Sequence, residues 1–244
     1  MYLLLKSQMQ YRASLFMAAV THFFQPFALF AGIYFLFERF GSLGGWTMHE
    51  VFICYAVMGI CYTAATSLGR GFYYFPNEIR TASFDRILVR PRSTILQILG
   101  ADFDIKRIGY FIQSAVVLFV AVRLVGIEWN AARAVLLFNM LVGGSLIFGG
   151  VYMVSAAVSF WTIGAVEIQN ILAYGVRQHA SYPLDVFPKW IKNFFTFVVP
   201  FGTINYIPMQ YLVGKTESAG WLHAFVPLAG ALFIIPCYIF WRIG

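Results

Sequence analysis

The sequence predicts an all-α membrane protein with six transmembrane helices, because of its composition and the length of its apolar runs. Of its 244 residues, 60% are hydrophobic and only 11% are charged, whereas a soluble domain carries about a quarter charged residues. Several uncharged runs reach or approach the roughly 20 residues that cross a bilayer core. These runs extend along the whole chain, so residues 1–244 are predicted to form one transmembrane domain.

The charges and prolines that interrupt the apolar runs place the spans. Residues 1–12 mix leucines with polar residues, as an interfacial helix does, and a first span then ends at Glu38 and Arg39. The uncharged run 134–166 would be a helix of about 50 Å, so it is predicted to turn near 161–164. The predicted spans are residues 13–37, 51–69, 108–127, 134–160, 165–181 and 218–241.

Prolines also distinguish a re-entrant hairpin from an alternative fifth span. The run 193–214 is uncharged, but Pro200 and Pro208 divide it into pieces of about ten residues, too short to cross. Two short helices, over about 188–199 and 203–213, are predicted to dip in from the outer face. Within the fourth span, Ser145 and Gly149 have the four-residue spacing that lets membrane helices approach closely.

The net charge of +7 indicates membrane orientation rather than a nucleic-acid partner. Six spans with both termini in the cytoplasm put ten of the 17 basic residues inside, a modest bias of the sign that the positive-inside rule gives for a cell-membrane protein. No basic face carries a nucleic-acid-binding module. Cys54, Cys61 and Cys237 lie in apolar runs without metal-ligand spacing, so no metal site is predicted.

The charged interval 70–107 is the region where a soluble partner is expected to bind. Within 83–89, Phe84, Ile87 and Leu88 are spaced i, i+3 and i+4, so they share one face of a short helix that Pro91 ends. Such a face fits a groove on a partner. The alternative is a helix that only anchors the loop among lipid headgroups. Asp102 and Asp104 are expected to cap the third span.

Ionisable groups inside a membrane are costly, so each is a candidate for the transport path. Glu167, with Gln169 and Asn170, lies near the start of the fifth span, where it either faces a central path or is solvated at the cytoplasmic turn. His22 and Gln25 in the first span are further candidates, although an interior histidine with satisfied hydrogen bonds is the commoner case.

Two stretches resemble the permease subunit of type-2 ABC exporters. The segment 84–91 is similar to the Leu/Phe-Asp-x-x-Leu-x-Arg-Pro signature of one branch of that family, although the branch often has Gly where this chain has Ala82-Ser83. The outer segment 182–214 resembles the same branch. The resemblance implies an ATPase-coupling role for Phe84, Asp85, Arg86, Ile87, Leu88, Arg90 and Pro91, and it marks the outer hairpin by Pro183, Pro188, Trp190, Pro200, Asn205 and Pro208.

The function that this resemblance implies is export by a dimer of permease subunits, identical or paralogous, with Mg-ATP hydrolysed on separate ABC ATPase subunits. The chain has no phosphate-binding loop, no zinc-protease motif and no nucleophile elbow, so no cofactor and no catalytic residue is predicted on it. An apolar or amphiphilic cargo fits the aromatic content. The alternatives are an ion- or proton-coupled carrier that uses Glu167 and a membrane-embedded lipid enzyme. The absence of an internal repeat counts against the carrier, and the absence of a catalytic pair counts against the enzyme.

Overall fold

The computed structural model describes residues 12–102, 104–162, 167, 175, 177, 181–216 and 220–244. These residues are overwhelmingly helical, and the pairing of Leu43 with Trp46 is an isolated bridge rather than part of a sheet among them. The predicted all-α class is confirmed. The helices are α1 Arg12–Phe24, α2 Phe27–Phe40, α3 Met48–Leu68, α4 Arg70–Arg80, α5 Asp85–Leu88, α6 Thr94–Ala101, α7 Ile108–Val125, α8 Ala131–Ala157, α9 Lys189–Asn193, α10 Gly202–Asn205, α11 Ile207–Leu212, α12 Gly220–Phe225 and α13 Ala229–Ile243.

Five helical stretches are long and apolar enough to cross a membrane: Ala13–Phe40, Met48–Leu68, Ile108–Val125, Ala131–Phe160 and His223–Ile243. They establish a multi-pass membrane protein. The predicted fifth span, 165–181, falls almost wholly outside the described residues, and the predicted interfacial helix falls outside them except for its last residue. The count of six spans therefore stays a prediction.

The first crossing, predicted as the span 13–37, is divided at Pro26 into two helices. Proline lacks an N–H group, so the backbone ladder is interrupted between α1 and α2. The buried hydroxyl of Tyr55 donates to the Pro26 carbonyl oxygen at 3.1 Å, which gives the break a partner from α3. The helix α2 then continues to Phe40, beyond the predicted end at residue 37.

The central element is α3, which is 83% buried over its most apolar stretch, compared with 50% or less for the other four crossings. It packs against α7 on one side and α8 on another. Its first turn is closed by a capping box, in which Thr47 and Glu50 satisfy backbone N–H groups reciprocally. A Cβ on Gly59 would overlap the Ser114 side chain, so α3 and α7 approach closely there.

The crossing of α8 and the last span depends on Gly143, Gly150 and Gly230. A Cβ on Gly143 would overlap the Pro227 carbonyl oxygen, and one on Gly230 would overlap the backbone of Gly143. Gly149 has no neighbouring atom within 4 Å. The prediction that Ser145 and Gly149 make the close approach is therefore wrong within the chain, because Gly143 and Gly150, seven residues apart and so on another face of α8, make the contact.

The outer hairpin consists of α9 continued by a π-turn over Phe194–Val198, followed by α10 and α11. Its turn is buried: the fully buried ring of Phe201 lies 4.8 Å from the ring of Phe148 on α8. Gly202 is required at this turn, because a Cβ would overlap the Thr196 hydroxyl. The hairpin is thus wedged against the bundle rather than spread over its surface.

Candidate functional site

The segment of residues 70–107, named the cytoplasmic segment after its predicted orientation, contains three helices rather than the single one predicted. The outer hairpin is likewise named after its predicted side. The helix α4 follows α3 directly after Gly69 and carries the chain out of the bundle. One turn, α5, comes next, and α6 returns toward the membrane. A Cβ on Gly71 would overlap the Ile98 carbonyl oxygen, so α4 and α6 are in backbone contact. The segment is therefore a packed unit that holds α5 in place.

The helix α5 is shorter than the predicted 83–89, and its predicted face is divided between inside and outside. Phe84 and Ile87 are half-buried against the core. Leu88 is 56% exposed and Val89 83% exposed. Leu88 does follow Phe84 by one helical turn, since its N–H donates to the Phe84 carbonyl oxygen at 3.1 Å. Both side chains line a cavity with Phe160 and Trp241, and this cavity leaves Leu88 more than half exposed.

Phe84 belongs to an aromatic anchor that it forms with Phe75, Phe160 and Trp241. Its ring lies 5.0 Å from Phe75 and 5.7 Å from Phe160. Trp241 completes the set, 4.8 Å from Phe75 and 5.4 Å from Phe160. These residues come from α4, the end of the α8 crossing and the last span. A displacement of α5 would thus be transmitted to three elements at once.

The opposite side of α5 is open. Its exposed residues are Asp85, Arg86, Val89, Arg90 and Pro91. A cytoplasmic groove of about 840 Å³ runs between α5 and α6, lined by Ile87, Arg90, Pro91, Arg92, Leu96 and Gln97 among others. Gln97 fixes the groove, since its amide donates to the carbonyl oxygens of Ile87 at 3.2 Å and Arg92 at 3.0 Å. The groove combines apolar surface with positive charge.

Ala82 has a backbone φ of +54°, and it is the non-glycine residue with positive φ in the described chain. This left-handed conformation lets the chain turn from α4 into α5. It costs an L-residue with a Cβ about 1–2 kcal/mol relative to the right-handed form. Glycine would adopt this conformation without that cost.

The base of the segment is held by ion pairs. Arg70 bridges Asp102, at 2.7 Å from its Nε, and Asp104. Asp104 also accepts from the Arg107 Nε at 3.2 Å and from the Lys106 backbone N–H at 3.1 Å. Asp104 therefore caps the 3-10 turn that leads into α7, as expected, and ties α4 to it as well.

Comparison with known proteins agrees with this arrangement. The profile of a family described as ABC-2 family transporter protein matches residues 23–244. The chain belongs to the ABC-2 transporter family. No match is found among the curated proteins or the solved structures. The predicted kinship is thus confirmed at the level of the family, and the narrower branch stays a prediction.

As an ABC-2 transporter the chain is a transport subunit, and members of this family generally work with ABC ATPase subunits. The predicted path residues are dispersed. Glu167 is an exposed helical residue, Gln25 is exposed at the break before α2, and His22 lies deeper, at a cytoplasmic cavity. Gln169 and Asn170 lie outside the described residues. Their role in a path stays a prediction.

Arg177 was not among the predicted site residues. Its guanidinium lies 4.6 Å from the centre of the Tyr62 ring and 4.8 Å from that of Tyr110, and it donates to the Tyr110 hydroxyl at 3.4 Å. Contact with two aromatic faces stabilises this cation. The signal in the sequence that could have identified Arg177 is its position inside the predicted fifth span.

The predicted residues of the outer hairpin differ in their burial. Pro183, Asn205 and Pro208 are buried, Pro200 is half-buried, and Pro188 and Trp190 are exposed. Asn205 donates from its amide to the Tyr182 carbonyl oxygen at 2.9 Å, so it connects α10 to the segment that precedes α9.

A second unforeseen feature of this ABC-2 transporter is an outer clasp formed by Lys215, Glu50, Trp46 and Gly45. The Lys215 ammonium lies 2.7 Å from Glu50 Oε2, donates to the Gly45 carbonyl oxygen at 2.9 Å, and sits 3.9 Å from the Trp46 ring centre. The clasp ties the end of the hairpin to the outer end of α3. The capping signal Thr47-x-x-Glu50 was visible in the sequence, but its lysine partner, 165 residues away, was not.

Proposed function

We propose that this chain is the permease subunit of an ATP-driven exporter that moves an apolar or amphiphilic cargo out of the cytoplasm by alternating access. A second permease subunit, identical or paralogous, would complete the path, and Mg-ATP would be hydrolysed on separate ABC ATPase subunits. The protein would reside in the cell membrane, surrounded by lipid, with both termini in the cytoplasm. The observation that carries this proposal is the two-sided construction of the cytoplasmic segment in a chain of the ABC-2 family.

One side of α5 is exposed, and the other side is packed against the rest of the bundle. Val89, Arg90 and Pro91 are exposed on one side, where Arg90 and Pro91 line the cytoplasmic groove. Phe84 is fixed in the aromatic anchor. A helix that only lay among headgroups would need no rigid connection to α4, α8 and the last span. Closure of a docked ATPase would therefore move these three elements together, as alternating access requires.

The test distinguishes loss of ATPase binding at the exposed side of α5 from loss of the aromatic contact on its packed side. The variant Val89→Asp places a charge at the centre of the exposed surface, so we expect it to lose the co-purifying ATPase and transport while the protein still inserts. Phe84→Ala removes the Phe84 ring from the aromatic anchor, so we expect this variant to keep more of its co-purifying ATPase than of its transport activity. Val89→Ala is the matched control, because it trims the same side chain without adding charge.

The proposal is wrong if Val89→Asp keeps both the ATPase and full transport. A proton- or ion-coupled carrier predicts a different pattern: transport in proteoliposomes without any ATPase, driven by a proton gradient and abolished by Glu167→Gln. Membership of the ABC-2 family favours the exporter.

A further inference from the structure

A polar pocket of about 240 Å³ lies at the cytoplasmic end of the bundle, apart from the groove on α5. It is bounded by α1, by the junction of α3 with α4, by the start of α7 and by α8. Its lining includes His22, Arg70, Tyr74, Lys106, Arg107 and Tyr152. Neither the family match nor the proposed export function requires a ligand here.

The net charge of the residues around this polar pocket favours a ligand with one negative charge. Arg70, Lys106 and Arg107 supply three positive charges, while Asp104 in the pocket and Asp102 bound to Arg70 supply two negative ones. The remainder is one positive charge. Lys106 is the source, since its Nζ forms no ion pair or hydrogen bond with the described residues, whereas Arg70 and Arg107 share Asp104.

A second observation comes from His22 at the inner end of the pocket. Its Nδ1 is buried and has no hydrogen-bond partner among the described residues, and its ring lies 5.5 Å from that of Tyr110. A buried polar atom without a partner costs about 1–3 kcal/mol. At the rim, Tyr74 is exposed and its hydroxyl accepts from Arg70 at 3.2 Å. The pocket thus offers donors from its rim to its inner end.

We propose that this pocket binds the phosphodiester of an anionic phospholipid from the cytoplasmic leaflet. Basic pockets between transmembrane helices on the cytoplasmic side are suited to lipid headgroups. A phosphodiester carries the single negative charge that the pocket lacks, and Lys106 with Arg107 would contact it. A lipid bound here would hold α1 against the cytoplasmic segment.

The experiment measures how many phosphatidylglycerol molecules the purified protein retains after delipidation, by native mass spectrometry, and how strongly this lipid binds on re-addition. We expect Lys106→Gln to weaken that binding about five- to tenfold, the effect of one basic residue near a membrane surface. Lys106→Arg keeps the charge and is expected to restore binding. Arg242→Gln is the matched control, because Arg242 is exposed at the same end of the bundle but lies outside the pocket.

Two comparisons identify the ligand. Phosphatidylcholine, which has no net charge, should bind more weakly than phosphatidylglycerol. Inorganic phosphate at millimolar concentration should not displace the lipid; displacement would show that the site takes a free anion, and would overturn the proposal. Equal losses in Lys106→Gln and Arg242→Gln would also overturn it, since they would indicate general surface attraction. Because the readout is lipid binding, the result does not depend on whether the chain exports anything.

Discussion

One lysine joins two parts of the chain that are far apart in sequence. In the outer clasp, Lys215 binds Glu50, whose side chain is only 10% exposed, so removing the lysine leaves a nearly buried carboxylate without its cation. Charged hydrogen bonds of this kind contribute about 1.5–3 kcal/mol. We expect Lys215→Gln to lower the unfolding free energy by about 1–2 kcal/mol, measured as reduced thermal stability in detergent.

A double-mutant cycle with Glu50→Gln isolates the pair. Glutamine retains an oxygen that can accept from the Thr47 N–H, so the cap persists while the charge is lost. Lys189→Gln serves as the control, because Lys189 is an exposed basic residue in the hairpin. Additive effects of Lys215→Gln and Glu50→Gln would show that the clasp contributes no coupling energy.

A second prediction at the scale of single residues concerns Ala82. Replacing it by glycine removes the Cβ that disfavours its left-handed conformation, but glycine also gains freedom in the unfolded chain. The net expectation is a stabilisation of about 0.5–1 kcal/mol, seen as a higher midpoint of thermal unfolding. Ala231→Gly, at an exposed helical position in α13, should instead destabilise by about 1 kcal/mol. Equal shifts in both variants would contradict the assignment of strain to Ala82.

At the scale of helices, the crossing of α8 with the last span yields a matched pair of substitutions. Gly143→Val would force side-chain atoms into the Pro227 carbonyl, and backbone there cannot move without separating the helices. We therefore expect little folded protein, measured as the monodisperse fraction in gel filtration. Gly149→Val, on the same helix, meets no atom within 4 Å and should fold normally. A normal yield of Gly143→Val would refute the close crossing.

Helix α8 shows why the sequence could predict where helices begin and end better than which of their faces make contact. Prolines and charges are local signals, so the hairpin helices and most crossing boundaries could be read directly from them. Which face of α8 touches the last span depends on helices brought together from distant positions. Ser145 and Gly149 matched a spacing rule, yet Gly143 and Gly150 make the contact. Phe84 illustrates the same limit, since periodicity grouped it with Leu88 but could not indicate which side chain the core would bury.

At the scale of the whole molecule, the two ends of the bundle can be distinguished by their contacts. The aromatic anchor brings Phe160 and Trp241 together with the cytoplasmic segment at one end. The outer clasp places Lys215 beside Gly45 and Glu50 at the other end of α3. We therefore expect the chain to pass from one end to the other between Phe160 and Lys215. That passage is the physical argument for a sixth crossing.

The sixth crossing is testable by cysteine labelling. The native cysteines, Cys54, Cys61 and Cys237, are all buried, so a single introduced cysteine reports alone against a low background. We expect Val89→Cys to react with a membrane-impermeant maleimide only after the cells are opened. Trp190→Cys, 72% exposed on the hairpin, should react in intact cells. Reaction of both from the same side would mean that residues 163–180 do not cross, and the hairpin would then belong to the cytoplasmic face.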